Sequence, residues 1–159
     1  MKVNTKIRYG LRAMLEFGLN ENKKNFTGLH QKDIAERQNL SEKYLDPIIG
    51  ALKTSGLIIN VRGKKSGYIL ARPKEEITVY DIYRSFEPEL SIIHCVNKPV
   101  TCFISHICVA SEYWLDLNET ITKHMKSVTL DMIVKKHIII KERIDKTNAV
   151  SHCAKAGKV

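Results

Sequence analysis

Between residues 6 and 20, apolar side chains fall at Ile7, Leu11, Met14, Leu15 and Leu19, intervals of three and four that predict one face of a helix. A polar break at residues 21–25 follows. A second, short helix fits residues 31–37, with Ile34 and Ala35 turned inward. Residues 38–40 then make a tight turn, and Ser41 stands as an N-cap with acidic Glu42 behind it. The next apolar stripe, Tyr44, Leu45, Ile48, Ile49 and Leu52, predicts a third helix from Glu42 to about Ser55, stopped by Gly56. Two strand-like runs, 57–61 and 68–70, flank the basic, glycine-bounded turn 62–67. A short helix, a three-residue turn, a capped helix and a hairpin form, in that order, a helix-turn-helix with a wing. The expected fold class is mainly α with a small β-hairpin wing: a winged helix-turn-helix domain plus a long dimerisation helix.

Beyond Pro73 the pattern changes. Thr78 can cap a short helix over 79–86, with Val79, Ile82, Tyr83 and Phe86 on one face. From Val109, the residues Ala110, Tyr113, Trp114, Leu117, Ile121, His124 and Met125 recur at helical spacing over about five turns. That apolar side exceeds what a winged module of about seventy residues can cover, so its expected partner is the same helix of a second subunit, with packing on its own domain as the alternative. Residues 129–133 suggest one more short helix. His137–Ile140 is an apolar patch without a role, and the polar, basic stretch from about Lys146 reads as a mobile tail. The expected organisation is a DNA-binding domain over 1–72, a linking helix, cysteine-rich loop and dimerisation helix over 73–145, and the tail 146–159.

Charge sharpens the picture. The chain of 159 residues carries a formal +9. Residues 1–72 hold 14 Lys and Arg against 6 Asp and Glu, whereas 73–145 hold 9 against 11. The positive field belongs to the winged module, as expected for binding duplex DNA. Three cations within four residues at the wing tip, Arg62, Lys64 and Lys65, suit a phosphate backbone or a minor groove. No stretch approaches the ~18 apolar residues of a membrane span, and the opening six residues have no secretory pattern. The reading is a cytoplasmic protein.

Between the two parts lies the spacing Cys95-x6-Cys102-x5-Cys108, with Cys153 far off in the tail. Cysteines gathered on one short stretch serve a metal or iron–sulfur site or a redox switch more often than packing. Soft thiolates select zinc, copper(I) or iron–sulfur clusters. Zinc with His94 or His106 as a fourth ligand, and direct thiol oxidation, remain open on the residues alone. An enzyme is not expected: there is no CxxC pair, no phosphate-cradling glycine loop and no nucleophile–base spacing. No small-molecule substrate suggests itself. A winged protein-interaction module is the rival from another class.

Several stretches together resemble the IscR and NsrR type of bacterial regulator, the Rrf family. They are Tyr9-Gly10-Leu11-Arg12-Ala13-Met14, Ile34-Ala35-Glu36-Arg37-Gln38, Ser41-x-x-Tyr44-Leu45, Gly56-Leu57, Arg62-Gly63, Gly67-Tyr68-Ile69-Leu70 and Thr78-Val79-x-Asp81-Ile82, with the three cysteines, Trp114 and Thr129-Leu130. The resemblance implies a homodimeric winged-helix transcriptional regulator, a repressor or activator, whose binding to an operator is modulated by a two-iron or four-iron cluster sensing cluster supply, redox state, oxygen or nitric oxide. It implies Cys95, Cys102 and Cys108 as ligands, Ser41, Lys43 and Asp46 at the recognition helix, and Arg62 in the minor groove. Three features depart from it. The histidine that serves two-iron members as fourth ligand is Ser111 here, and the acidic residue of four-iron members is Arg8, which leaves His106 as a candidate. Pro47 lies one turn inside the recognition helix, and the wing tip has gained charge.

Overall fold

A computed structural model describes residues 4–23, 26–61, 67–93, 103–104 and 107–156, with side chains as far as 147. Among these residues the elements run α1 (Thr5–Asn20), α2 (Gln31–Gln38), α3 (Glu42–Thr54), β1 (Ile58–Asn60), β2 (Tyr68–Leu70), α4 (Val79–Arg84), α5 (Val109–Ser127) and α6 (Leu130–Ala156). The mainly helical winged fold is as expected. The wing strands pair antiparallel, Ile58 with Leu70 and Asn60 with Tyr68. Leu29 adds a single bridge to Tyr68, through N–H···O bonds of 2.9 and 2.8 Å. Backbone contact there is tight, since a Cβ on Gly67 would sit 2.7 Å from the Gly28 carbonyl carbon. Only glycine allows that approach.

Local chemistry sets the helix-turn-helix. Asn39, in the left-handed region at φ 52°, ends α2, and the Leu40 N–H reaches back to the Ala35 carbonyl at 2.9 Å. Gly56, at φ 68°, ends α3 in the same way, with Leu57 N–H bonded to the Leu52 carbonyl at 3.0 Å. Both are Schellman stops, which satisfy the orphan carbonyls of a helix end. Ile34, Ala35, Leu45, Ile48, Ile49 and Leu52 are buried together with Met14 and Phe17 of α1.

Three expectations need correction. Tyr44 is 38% exposed and not part of the buried stripe; it stands edge-on to Tyr9, with ring centroids 5.6 Å apart. On α1 the fully buried positions include Phe17 and Ala13, outside the expected stripe, while Leu11, Leu15 and Leu19 are only half-buried. The expected short helix at 129–133 is the start of a helix that continues to Ala156, taking in much of the segment expected as a tail.

The linker after the wing is stitched to the α5–α6 junction. Leu130 N–H bonds the Ile77 carbonyl at 2.7 Å, Val79 N–H the Val128 carbonyl at 2.9 Å, and Asp131 N–H the Lys74 carbonyl at 3.2 Å. Lys74 itself is buried, with its ammonium 3.4 Å from Glu21 at the end of α1. None of the described helices is long and apolar enough to cross a membrane.

Candidate nucleic-acid interface and cysteine segment

The first turn of α3 carries three sequence-predicted residues. Ser41 caps the helix, its Oγ accepting from the Tyr44 N–H at 3.2 Å. Among the described residues the Ser41 hydroxyl donates to no acceptor. Lys43 and Asp46 are exposed one turn on. Asp46 is not a loose carboxylate: its Oδ1 accepts from Gln31 Nε2 of α2, which also donates to the Glu42 carbonyl at 3.2 Å. Gln31 therefore orients Asp46, a role the sequence pattern did not suggest, because only the fold brings the two helices together. Pro47 lies within α3 and cannot donate to the Lys43 carbonyl, yet the helix runs on to Thr54.

Further cations lie beside this turn. The guanidinium groups of Arg8 and Arg12 stand 5.1 and 5.2 Å from the centroid of the Tyr9 ring. At the wing base, Arg72 pairs with Asp81 at 2.9 Å. Asp81 also accepts from the N–H and hydroxyl of Thr78, at 2.9 and 2.8 Å, completing a capping box at the start of α4. Arg62, Lys64 and Lys65 lie outside the described residues.

Cys108 is the N-cap residue of α5, half-buried, and its thiol makes no capping bond. Its carbonyl accepts from the Ser111 N–H at 3.0 Å and from the Ser111 hydroxyl at 2.7 Å. The hydroxyl proton of Ser111 is thus committed to backbone. Cys95, Cys102, His94 and His106 lie outside the described residues, and among those described no three His, Cys, Asp or Glu side chains gather to hold a metal. Ahead of the cysteines, Tyr83 lies near Glu87 and Tyr80. Burial first, then the Glu87 charge and Tyr80, raise its phenol above the ordinary value of 10.0.

A capped helix-turn-helix, a two-stranded wing and a long helix with no buried residue define the class: a winged-helix DNA-binding transcriptional regulator. A family model described as an iron-dependent transcriptional regulator, Rrf2, matches residues 3–136. The chain belongs to the Rrf2 family. It is 35% identical over 136 residues to an HTH-type transcriptional regulator of Neisseria meningitidis, covering 85% of this chain and 88% of that one. It is 30% identical over 140 residues to IscR of Xenorhabdus nematophila, covering 88% and 83%. Among solved structures it superposes on T. potens IscR with a TM-score of 0.67 at 34% identity, covering 86% and 88%. CymR, the global cysteine regulator of B. subtilis, gives 0.68 at 29% identity, covering 86% and 98%. The oxidized form of Staphylococcus aureus CymR gives 0.66 at 32%, covering 84% and 96%. The relatives named here are regulators, not enzymes.

Proposed function

We propose that this regulator binds operator DNA as a homodimer and that an iron–sulfur cluster held by Cys95, Cys102 and Cys108 modulates that binding. The observation that carries the reading is the position of Cys108. It opens the helix that carries the unburied apolar side chains Val109, Tyr113 and Leu115, so a ligand at this thiol acts on the end of the element offered to the second subunit. The donor set fits: three thiolates are soft ligands, and the Cys108 thiol makes no capping bond at the start of α5. When bound, the cluster supplies reversible redox and ligand chemistry. The family's usual fourth ligands do not carry over, because Arg8 is a cation and Ser111 serves the Cys108 carbonyl. His106 is the remaining candidate in the segment.

On the DNA side, Ser41, Lys43 and Asp46 serve base edges or phosphates at the major groove, and Arg62, Lys64 and Lys65 serve the minor groove or phosphates. A second reading, control by thiol oxidation without a metal, is favoured by the likeness to the oxidized form of CymR. Purification without oxygen, followed by a visible spectrum and iron and sulfide analysis, separates the two. The cluster reading expects a coloured protein that bleaches in air, colour lost in Cys102→Ala, and colour kept in Cys153→Ala. A colourless protein without metal whose operator affinity follows thiol oxidation would replace it with the thiol reading. Stoichiometric zinc would point to a structural metal.

A further inference from the structure

Asn20, the last residue of α1, is only 3% exposed and lines a cleft of about 560 Å³ between α1, α2 and α6. That size is within the range of small-molecule sites, about 300–1,000 Å³. Asn20 Nδ2 donates to the Glu16 carbonyl at 2.6 Å, but no donor among the described residues reaches its Oδ1. No fully buried side-chain oxygen or nitrogen lacks a partner among the described residues, so this Oδ1 is reached from the cleft. An amide oxygen so enclosed favours a donor. It also stands at the C-terminal end of a helix, where the carbonyl dipoles favour positive charge. An ammonium group answers both demands.

The walls carry charges of both signs that the fold leaves uncommitted. Glu16 is already occupied, accepting from Arg37 Nη1 at 3.2 Å and from Gln38 Nε2 at 2.7 Å. By contrast Lys23, beyond the end of α1, and Lys141, Glu142 and Asp145 of α6 enter no ion pair among the described residues. Apolar surface is present too, from half-buried Leu19 and from Ile138. A simple anion would meet the two free carboxylates, and a simple cation the two free ammonium groups. A ligand that carries both charges and an aliphatic group suits the whole lining. The family model ends at residue 136, so the α6 wall belongs to a part of the chain outside the family pattern.

We propose that this cleft binds a free α-amino acid with an aliphatic side chain. Its ammonium is received by Asn20 Oδ1 and the α6 carboxylates, its carboxylate by Lys23 and Lys141, and its side chain by Leu19 and Ile138. The site is separate from the cysteines and stands whether or not they hold a metal.

Equilibrium dialysis of the full-length protein against radiolabelled L-leucine tests it, with L-isoleucine and L-methionine as further arms. At least one of the three should bind saturably at millimolar concentration or below. L-leucinamide, which lacks the carboxylate, and isocaproate, which lacks the ammonium, should compete roughly tenfold less well or worse. Two double variants on the open walls separate the charges: Lys23→Met with Lys141→Met, and Glu142→Gln with Asp145→Asn. Each should weaken binding roughly tenfold or more. Asn20→Ala should do likewise; should it not fold, the two double variants decide. The proposal is overturned if none of the three amino acids binds, which would leave the cleft to water. It is overturned equally if leucinamide or isocaproate competes as well as leucine, or if both double variants bind as the wild type does.

Discussion

Gly18 of α1 lies directly beneath Val134 of α6: a Cβ on Gly18 would fall 2.7 Å from Val134 Cγ2 and 3.5 Å from Leu130 Cγ. The absent side chain lets the two helices cross closely, and it joins the winged module to the helix that follows α5. Val134 is buried and β-branched, with one strongly preferred rotamer in a helix, so it has little room to yield.

Gly18→Ala should therefore destabilise the protein despite alanine's helix propensity. Overpacking costs about 1–3 kcal/mol, against a gain of about 1 kcal/mol from removing a helical glycine, for a net loss of up to about 2 kcal/mol. Gly50→Ala is the matched control. Nothing lies within 4 Å of its Cβ position, so the propensity gain should appear as up to about 1 kcal/mol of added stability. Denaturant melts of the two variants should shift in opposite directions.

Asp81 holds three partners at the start of α4: the Thr78 N–H, the Thr78 hydroxyl and Arg72. Asp81→Ala breaks the capping box and should cost about 1–2 kcal/mol. Arg72 lies two residues beyond β2, so the wing should loosen as well, seen as faster amide exchange at Val61 and Ala71, whose N–H groups bond the Gly67 and Leu57 carbonyls across the hairpin. Equal exchange in variant and wild type would separate the wing from this carboxylate.

Two neighbours on α3 should affect DNA binding differently. Lys43→Ala removes an exposed cation and should weaken operator and random DNA alike, lowering the salt slope by about one counterion. Asp46 is oriented by Gln31, so Asp46→Ala should instead relax preference at one base pair per half-site, by about 1–3 kcal/mol of discrimination. Gln31→Ala should produce part of the same relaxation. Titrations against single-base operator variants at several salt concentrations distinguish the two classes.

The caps were the easiest features to read from sequence, because each is a local contract. Ser41 before Glu42, Gly56 after α3 and Thr78 before α4 all act within a few residues of themselves. What escaped the pattern is long-range. Tyr44 has helical spacing with Leu45 and Ile48 but lies at the edge of the apolar arc, where Tyr9 covers only one side of it. Gly10 and Gly18 look like weak points of α1 until Phe86 and Val134 are seen filling the space above them. The length of α6 was hidden because Ile138, Ile139 and Ile140 are consecutive and point around the helix, leaving no single face for periodicity to detect. Of the cysteine site, sequence supplied the donors and their spacing, whereas the cleft that Asn20 lines between α1, α2 and α6 depends on tertiary placement.

Tyr83 provides a pH signature for the approach to the cysteine segment. Its phenol is raised, chiefly by burial and then by Glu87 and Tyr80, so the fold favours the protonated form. The associated stability is fully present below the unfolded value of 10.0 and is lost as pH rises through the folded value. Alkaline titration at 295 nm should show a late phenolate component that disappears in Tyr83→Phe.

The last prediction follows from the proposed homodimer. No residue of α5 is buried within its own chain, and Val109, Tyr113 and Leu115 are 81%, 62% and 49% exposed. Leu117 and Ile121 are half-covered within their own chain, so a substitution there also disturbs packing inside the monomer. Tyr113 is the cleaner probe, because its ring meets only Trp114 among the described aromatic pairs, at 5.1 Å. Tyr113→Glu should leave the monomer folded, as an exposed carboxylate costs little, while placing an unpaired charge in the seam of the dimer. At about 3 kcal/mol or more for such a charge, dimer affinity should fall by about a hundredfold or more. Leu117→Glu should do the same with some added loss of monomer stability. Sedimentation equilibrium should then show monomer at concentrations where wild-type protein is dimeric, and operator binding should weaken in step because two half-sites are no longer engaged together. A Tyr113→Glu protein that remains dimeric with unchanged operator affinity would move the interface off this face of α5.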